Sequence, residues 1–374
     1  MLQKESNTTR NMGIDLLRIV SMFLVVFLHV LGRGGVLESA PILSVNYEIA
    51  WFIEIAAYCA VNCYALISGY VGIRGHYRYS NLVLLWLRVA FYTILITFVF
   101  AVGTTGKVGK QEILGAIFPI STEQYWYFTA YAGMFLFIPF VNLFVQRASQ
   151  SQVRAVIHGC ILLFSILPTV FRRDIFVLKD GYSALWMLIL YLIGGYIGKY
   201  GFWQRKKSSH LAIIYFSCVM LSWLCKFGIE AERMYLHGET RQTQFLVNYT
   251  SPTILLAGIV LLLIFSRIKA GGMAGKLIAL FAPLSFSVYL IHFHPLVKYY
   301  VLQNRFSWIT GLNPLMMVGT LILIVVVIFI SCSLFDMIRE YIFKKIKLKK
   351  KLIQLEEKLI GDLWKQNNGT GKRG

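Results

Sequence analysis

Residues 13–31 read GIDLLRIVSMFLVVFLHVL, about one bilayer length of almost entirely apolar sequence. A helix buried in lipid should carry no ionisable side chain here, yet Asp15, Arg18 and His29 interrupt the run. Each costs about 2.5–3.5 kcal/mol at membrane depth, so such residues are usually kept for function. Arg18 and His29 are eleven residues apart, close to three helical turns, which places them within about 20° of each other on the helix surface. Asp15 flanks the same stripe. One face of this helix therefore reads as the wall of something polar.

The rest of the chain agrees with a membrane setting. Of 374 residues, 57% are hydrophobic and 14% are charged, and mean hydropathy is +0.64. The charged share is well below the usual quarter, which leaves no room for a separate soluble domain. The net charge of +20 would suggest nucleic acid in a soluble protein. Here the positive residues sit in short loops and a basic tail, so the reading is positive-inside anchoring against anionic lipid, with no nucleic-acid partner. The six cysteines, Cys59, Cys63, Cys160, Cys218, Cys225 and Cys332, lie in apolar segments without metal-type spacing and read as small packing residues. No metal is expected. The first apolar segment is long and charged and lacks a small-residue cleavage site, so it reads as a span rather than a removable signal.

Ten apolar runs recur with short polar breaks, at about 13–32, 49–71, 82–103, 126–146, 154–171, 184–200, 211–229, 250–267, 276–298 and 312–335. This predicts an all-α polytopic membrane helix bundle with about ten transmembrane helices and both termini cytoplasmic, the orientation following from the basic tail and the basic loop 199–210. The expected division is a transmembrane domain over 1–340 and a cytoplasmic tail over 341–374. Within that tail, IFKKIKLKKKLIQLEEKLIGDLWK (342–365) has the pattern of a basic amphipathic helix lying on the inner membrane surface. The expected location is a bacterial-type plasma membrane.

Depth sorts the buried polar residues into two groups. Arg18 lies about 7 Å in from the cytoplasmic end of its helix, and Arg88 falls at similar depth on the third span. Two guanidinium groups at one depth make an anion site. Arg74, His76 and Arg78 add positive charge at its mouth. Near the outer end, His29 and Glu54 fall at comparable depth, and a carboxylate beside an imidazole would make it a better base. In SFSVYLIHFHPLV (285–297), Ser285, Tyr289 and His292 share one helical face, whereas His294 points the other way. Tyr125, Trp126 and Tyr127 suit an interfacial belt and could stack on sugar rings. There is no phosphate-binding glycine loop and no GxSxG elbow, which argues against ATP hydrolysis and soluble-type hydrolase chemistry.

Four segments together resemble the membrane acyltransferase-3 family. They are DLLRIVSMFLVVFLH (15–29), LISGYVGI (66–73), YWYFTAYAGMFLFIPFVN (125–142) and SFSVYLIHFHPL (285–296), in family order along the whole chain. The resemblance implies transfer of an acyl group, usually acetyl from cytoplasmic acetyl-CoA, to a saccharide or lipid-linked glycan, with His29 and Arg18 essential. It also implies an Arg-x-x-Arg element opening the third helix. This chain departs there: in NLVLLWLRVAF (81–91) only Arg88 matches, and Leu85 stands in place of the first arginine.

The expected enzyme is thus an O-acetyltransferase with acyl-CoA as co-substrate and no permanently bound cofactor. His29 is its general base or acyl carrier, with Arg18, His292 and Tyr289 beside it. Arg88, Arg74 and Arg78 would hold the CoA phosphates, and Glu54, Tyr125 and Trp126 the acceptor. The rival reading is a transporter or flippase of lipid-linked sugars, using the same polar core as a pathway.

Overall fold

In lipid every backbone polar group must be satisfied inside its own segment, so an apolar run of this kind becomes a helix. The computed structural model describes residues 10–75, 77–203 and 206–369, side chains of 360–369 excepted; His76 and residues 370–374 of the tail lie outside them. It is an all-α polytopic membrane bundle. The helices are α1 (Met12–Leu31), α2 (Val45–Gly72, bent at Cys59), α3 (Tyr79–Gly103), α4 (Trp126–Arg147), α5 (Gln150–Phe171), α6 (Ala184–Tyr200), α7 (Ser208–His237), α8 (Pro252–Phe265), α9 (Gly272–His292), α10 (Pro314–Lys345) and α11 (Leu348–Gly369). Each of the ten apolar runs falls on one of α1–α10. Among the described residues, 8 helices are long and apolar enough to cross a membrane; α6 and α8 are shorter, at 17 and 14 residues.

Polar residues punctuate the apolar runs. The side chains of Asn11, Ser44, Ser183 and Asn313 accept hydrogen bonds from backbone N–H groups in the first turns of α1, α2, α6 and α10, satisfying donors that have no partner inside the helix.

Helix α1 sits at the centre, packed against α2, α8, α9 and α10. That position buries most of its length and turns the charged stripe inward. The tightest packing is between α2 and α6, where glycines let the backbones meet. A Cβ on Gly69 would lie 1.9 Å from the Tyr191 carbonyl oxygen, and one on Gly194 would lie 2.0 Å from the Leu66 carbonyl oxygen. Only residues without a side chain permit that approach, the small-residue packing common between membrane helices.

The tail helix α11 is fastened to the start of α3. Glu356 accepts hydrogen bonds from the backbone N–H of Tyr79 (2.7 Å) and of Ser80 (3.2 Å), and Glu357 pairs with Arg78 at 3.0 Å. Carboxylates at a helix N-terminus also meet its positive dipole end. The amphipathic tail expected from the sequence therefore has a definite attachment point on the bundle.

Candidate functional site

The stripe on α1 lines two adjoining cavities. The larger, about 550 Å³, lies at the basic end of the bundle between α1, α2, α3, α4 and α9, and Arg10, Arg18 and Arg88 all line it. Its size suits a drug- or cofactor-sized ligand. Arg18 and Arg10 both pair with the buried Asp15, so Asp15 holds the Arg18 guanidinium from one turn below. Arg88 donates from Nη1 to the Pro283 carbonyl at 3.2 Å, and its buried Nε has no partner among the described residues. Guanidinium groups with spare donors facing a partly polar chamber form a ready anion site. Leu85, where the family pattern has an arginine, lines the same chamber. Arg339, whose charge also acts on Arg88, is buried in a bidentate pair with Asp336, which also accepts from the Tyr92 hydroxyl at 2.6 Å. Arg339 is thus already paired and is no free substitute.

The second cavity is narrow, about 30 Å³, and is lined by His29, Met22, Val25, Trp126, Tyr249 and Tyr289, among others. Tyr64, Tyr127 and Phe286 line both cavities, so the wide basic chamber and the histidine end are separated by one layer of side chains. His29 is clamped in place: its ring stacks on Phe293 with centroids 3.5 Å apart and planes inclined by 7°.

The hydrogen bonds around His29 dictate its protonation pattern. His292 Nδ1 lies 2.6 Å from the Val288 carbonyl oxygen. A carbonyl can only accept, so Nδ1 carries the proton and, in the neutral ring, Nε2 is bare. That Nε2 lies 2.8 Å from His29 Nδ1. His29 must therefore donate from Nδ1, which leaves its own Nε2 as a free lone pair. A neutral imidazole with one nitrogen held as donor and the other bare is the form a general base requires. The α9 face read from the sequence spans both cavities: Ser285 lines the chamber, Tyr289 the narrow end, and His292 fixes His29.

The other expected site residues are placed as follows. Among the described residues Glu54 makes no hydrogen bond to His29 and its Oε2 is unpartnered; it is buried near the Tyr58–Tyr182–Tyr249 cluster. Tyr125 is buried and donates to the Leu290 carbonyl at 2.6 Å, tying α4 to α9. Trp126 lines the histidine cavity and packs with Tyr182 and Tyr249 at centroid distances of 4.4 and 5.9 Å. Arg74 turns away from both cavities and donates to the Gly198 carbonyl at 2.5 Å, near the end of α6. Arg78 lines a third cavity of about 290 Å³, which shares Arg18, Ser68 and Tyr131 with the chamber.

Sequence reasoning passed over Tyr249 and Tyr182. Both lie in connections between helices, where an aromatic residue carries no periodic signal, and only the folded chain brings them to His29. Asp336 and Arg339 likewise carry no separate signal, lying where the long apolar helix α10 runs into the basic tail.

A family model described as an acyltransferase domain matches residues 11–336. No curated protein and no solved structure matches the chain.

Proposed function

The chain belongs to the acyltransferase-3 family and is a multi-pass membrane acyltransferase, and from that premise we propose that it moves an acetyl group from cytoplasmic acetyl-CoA to a hydroxyl of a surface saccharide or lipid-linked glycan. The basic end of the bundle then faces the cytoplasm of a bacterial-type cell. CoA phosphates bind Arg18 and Arg88 in the wide chamber, with Arg78 at the neighbouring opening. The pantetheine arm rises along α1, whose Arg18–His29 separation is about 16 Å at 1.5 Å per residue. The thioester meets His29 at the narrow end, and the acceptor arrives from the opposite side past Trp126 and Tyr249.

The observation that carries this reading is the proton chain Val288–His292–His29, which leaves a bare imidazole nitrogen at the meeting point. His29 Nε2 takes the proton from the acceptor hydroxyl as its oxygen bonds to the acyl carbon. The carbon–sulfur bond of the thioester breaks, and the proton passes from His29 to the departing CoA sulfur. Tyr289, beside His29 with ring centroids 6.0 Å apart, supplies a hydroxyl near the developing oxyanion.

The test is mass spectrometry of the surface glycan from cells with and without the protein, and from cells carrying His29→Ala at equal protein level. Loss of a fixed acyl increment per modified unit in both is the expected result. Retention of acylation in His29→Ala cells overturns the scheme. A change in the amount of surface glycan with unaltered unit mass would instead support the flippase reading.

A further inference from the structure

At the end of the bundle opposite the basic chamber lies a cavity of about 300 Å³, formed by the end of α5, the 172–180 loop, Arg233 of α7 and residues 243–251. Three arginines line it: Arg172, Arg173 and Arg233. Among the described residues none of the three has an ion-pair or hydrogen-bond partner for its side chain. The same wall carries two acids, each hydrogen-bonded to neutral amide groups. Asp174 accepts from the backbone N–H of Leu178 at 2.7 Å and of Lys179 at 2.6 Å, and Asp180 accepts from Asn248 Nδ2 at 3.1 Å. Arg172 is held over the Phe245 ring, 4.6 Å from its centroid, which fixes its fork without neutralising it. The result is a polar concavity in which three guanidinium groups, none in an ion pair among the described residues, outnumber two carboxylates.

Its position ties it to the reaction centre. Asn248 and Thr250 line the arginine pocket, while Tyr249 between them lines the His29 cavity. Asp180 lines the pocket, and Tyr182, two residues on, packs against both Trp126 and Tyr249. The aromatic cluster of Tyr182, Tyr249 and Trp126, in which Tyr249 is buried and Tyr182 exposed, therefore lies between the pocket and His29, and the exposed ring offers a surface for the apolar face of a sugar.

We propose that the pocket binds an anionic group, phosphate or carboxylate, of the acceptor glycan, and so anchors an acidic saccharide whose neighbouring neutral sugar lies across that ring with its hydroxyl at His29. Planar guanidinium forks match both groups bidentately. The assignment rests on the acyltransferase reading but is tested without catalysis.

The experiment uses the full chain in phosphatidylcholine nanodiscs without acyl donor. The probes are a glycerol phosphate oligomer, an oligogalacturonate and a neutral maltooligosaccharide. The expected result is binding of at least one anionic oligomer and not of the neutral one, weakened about tenfold or more in the triple variant Arg172→Gln, Arg173→Gln, Arg233→Gln, with acyl-CoA binding at the far chamber unchanged. Unchanged acyl-CoA binding shows that the variant is folded. Equal binding of anionic oligomer by the variant, or no binding of either anionic probe, overturns the proposal. If phosphatidylglycerol in the nanodisc displaces the oligomer and co-purifies in an arginine-dependent manner, the anion is a lipid headgroup, and the acceptor assignment falls. Loss of transfer in His29→Ala with oligomer binding intact would support both readings, whereas intact oligomer binding with no acyl transfer by the wild-type chain would overturn only the acyltransferase scheme.

Discussion

Replacing His292 by phenylalanine keeps the ring volume beside Phe293 and deletes the acceptor that holds His29. In the wild-type protein His29 Nδ1 faces His292 Nε2 at 2.8 Å. In the variant a His29 protonated on Nδ1 has a buried N–H with no partner, at a cost of about 1–3 kcal/mol. The ring escapes that cost by moving its proton to Nε2, the nitrogen needed as base. The reactive tautomer therefore becomes rarer by about 5- to 150-fold, since 1.4 kcal/mol corresponds to a factor of ten, and kcat for acyl transfer falls by that factor. The donor site is at the other end of α1, so KM for acyl-CoA stays within about twofold. For comparison, removing a general base outright costs about 10²–10⁴-fold, which is the expectation for His29→Ala. Steady-state kinetics of the purified variant in detergent with an acceptor sugar, alongside thermal unfolding to establish a native fold, supplies the measurement. His292→Gln, whose amide oxygen can accept from His29, is expected to recover part of the rate. A folded His292→Phe enzyme with wild-type kcat would refute the tautomer argument.

Three further outcomes are expected. Arg88→Ala, which empties one wall of the basic chamber, should raise KM for acyl-CoA by about tenfold or more while changing kcat less; donor titrations check it, and an unchanged KM would remove Arg88 from the phosphate site. Gly194→Ala places a Cβ 2.0 Å from the Leu66 carbonyl oxygen, against 3.4–4 Å for an ordinary contact, so α2 and α6 must separate and the variant should lose at least about 1–3 kcal/mol; an unaltered thermal midpoint would contradict the close approach. Attachment of α11 should depend on pH through Glu356. Partial burial raises the pKa of this carboxyl, but the backbone N–H groups of Ser80 and Tyr79, with the nearby Arg78 guanidinium, outweigh it and hold the value below the ordinary 4.5. A depressed folded value means that the attachment is complete above pH about 4.5 and is lost as pH falls through the lower folded value. Protease sensitivity of the tail should rise over that acid window and, at neutral pH, in Glu356→Gln; equal sensitivity of that variant and the wild type would count against the link.

The class of fold and half of the candidate site are legible along the chain. Apolar runs of bilayer length can only be helices, because lipid offers no other partner for the backbone, so all ten runs are found on helices. Helical periodicity likewise sufficed to align Arg18 with His29 on α1 and Ser285, Tyr289 and His292 on α9, because both patterns lie within single helices. What happens between helices is not periodic, and there the tertiary structure decided. It put His292, not Glu54, against His29, because α9 packs on α1 with its polar face inward. Arg74 became a cap for α6, and Arg339 was occupied by Asp336. Tyr182, Tyr249, Arg172 and Arg173 reached the neighbourhood of the His29 cavity from loops whose paths are set by how the helices they connect are packed, and Arg233 came from the last turns of α7. The charges that interrupt residues 13–31 were visible as an anomaly in one dimension; which of them meets which partner follows from the close packing of α2, α8, α9 and α10 around that one.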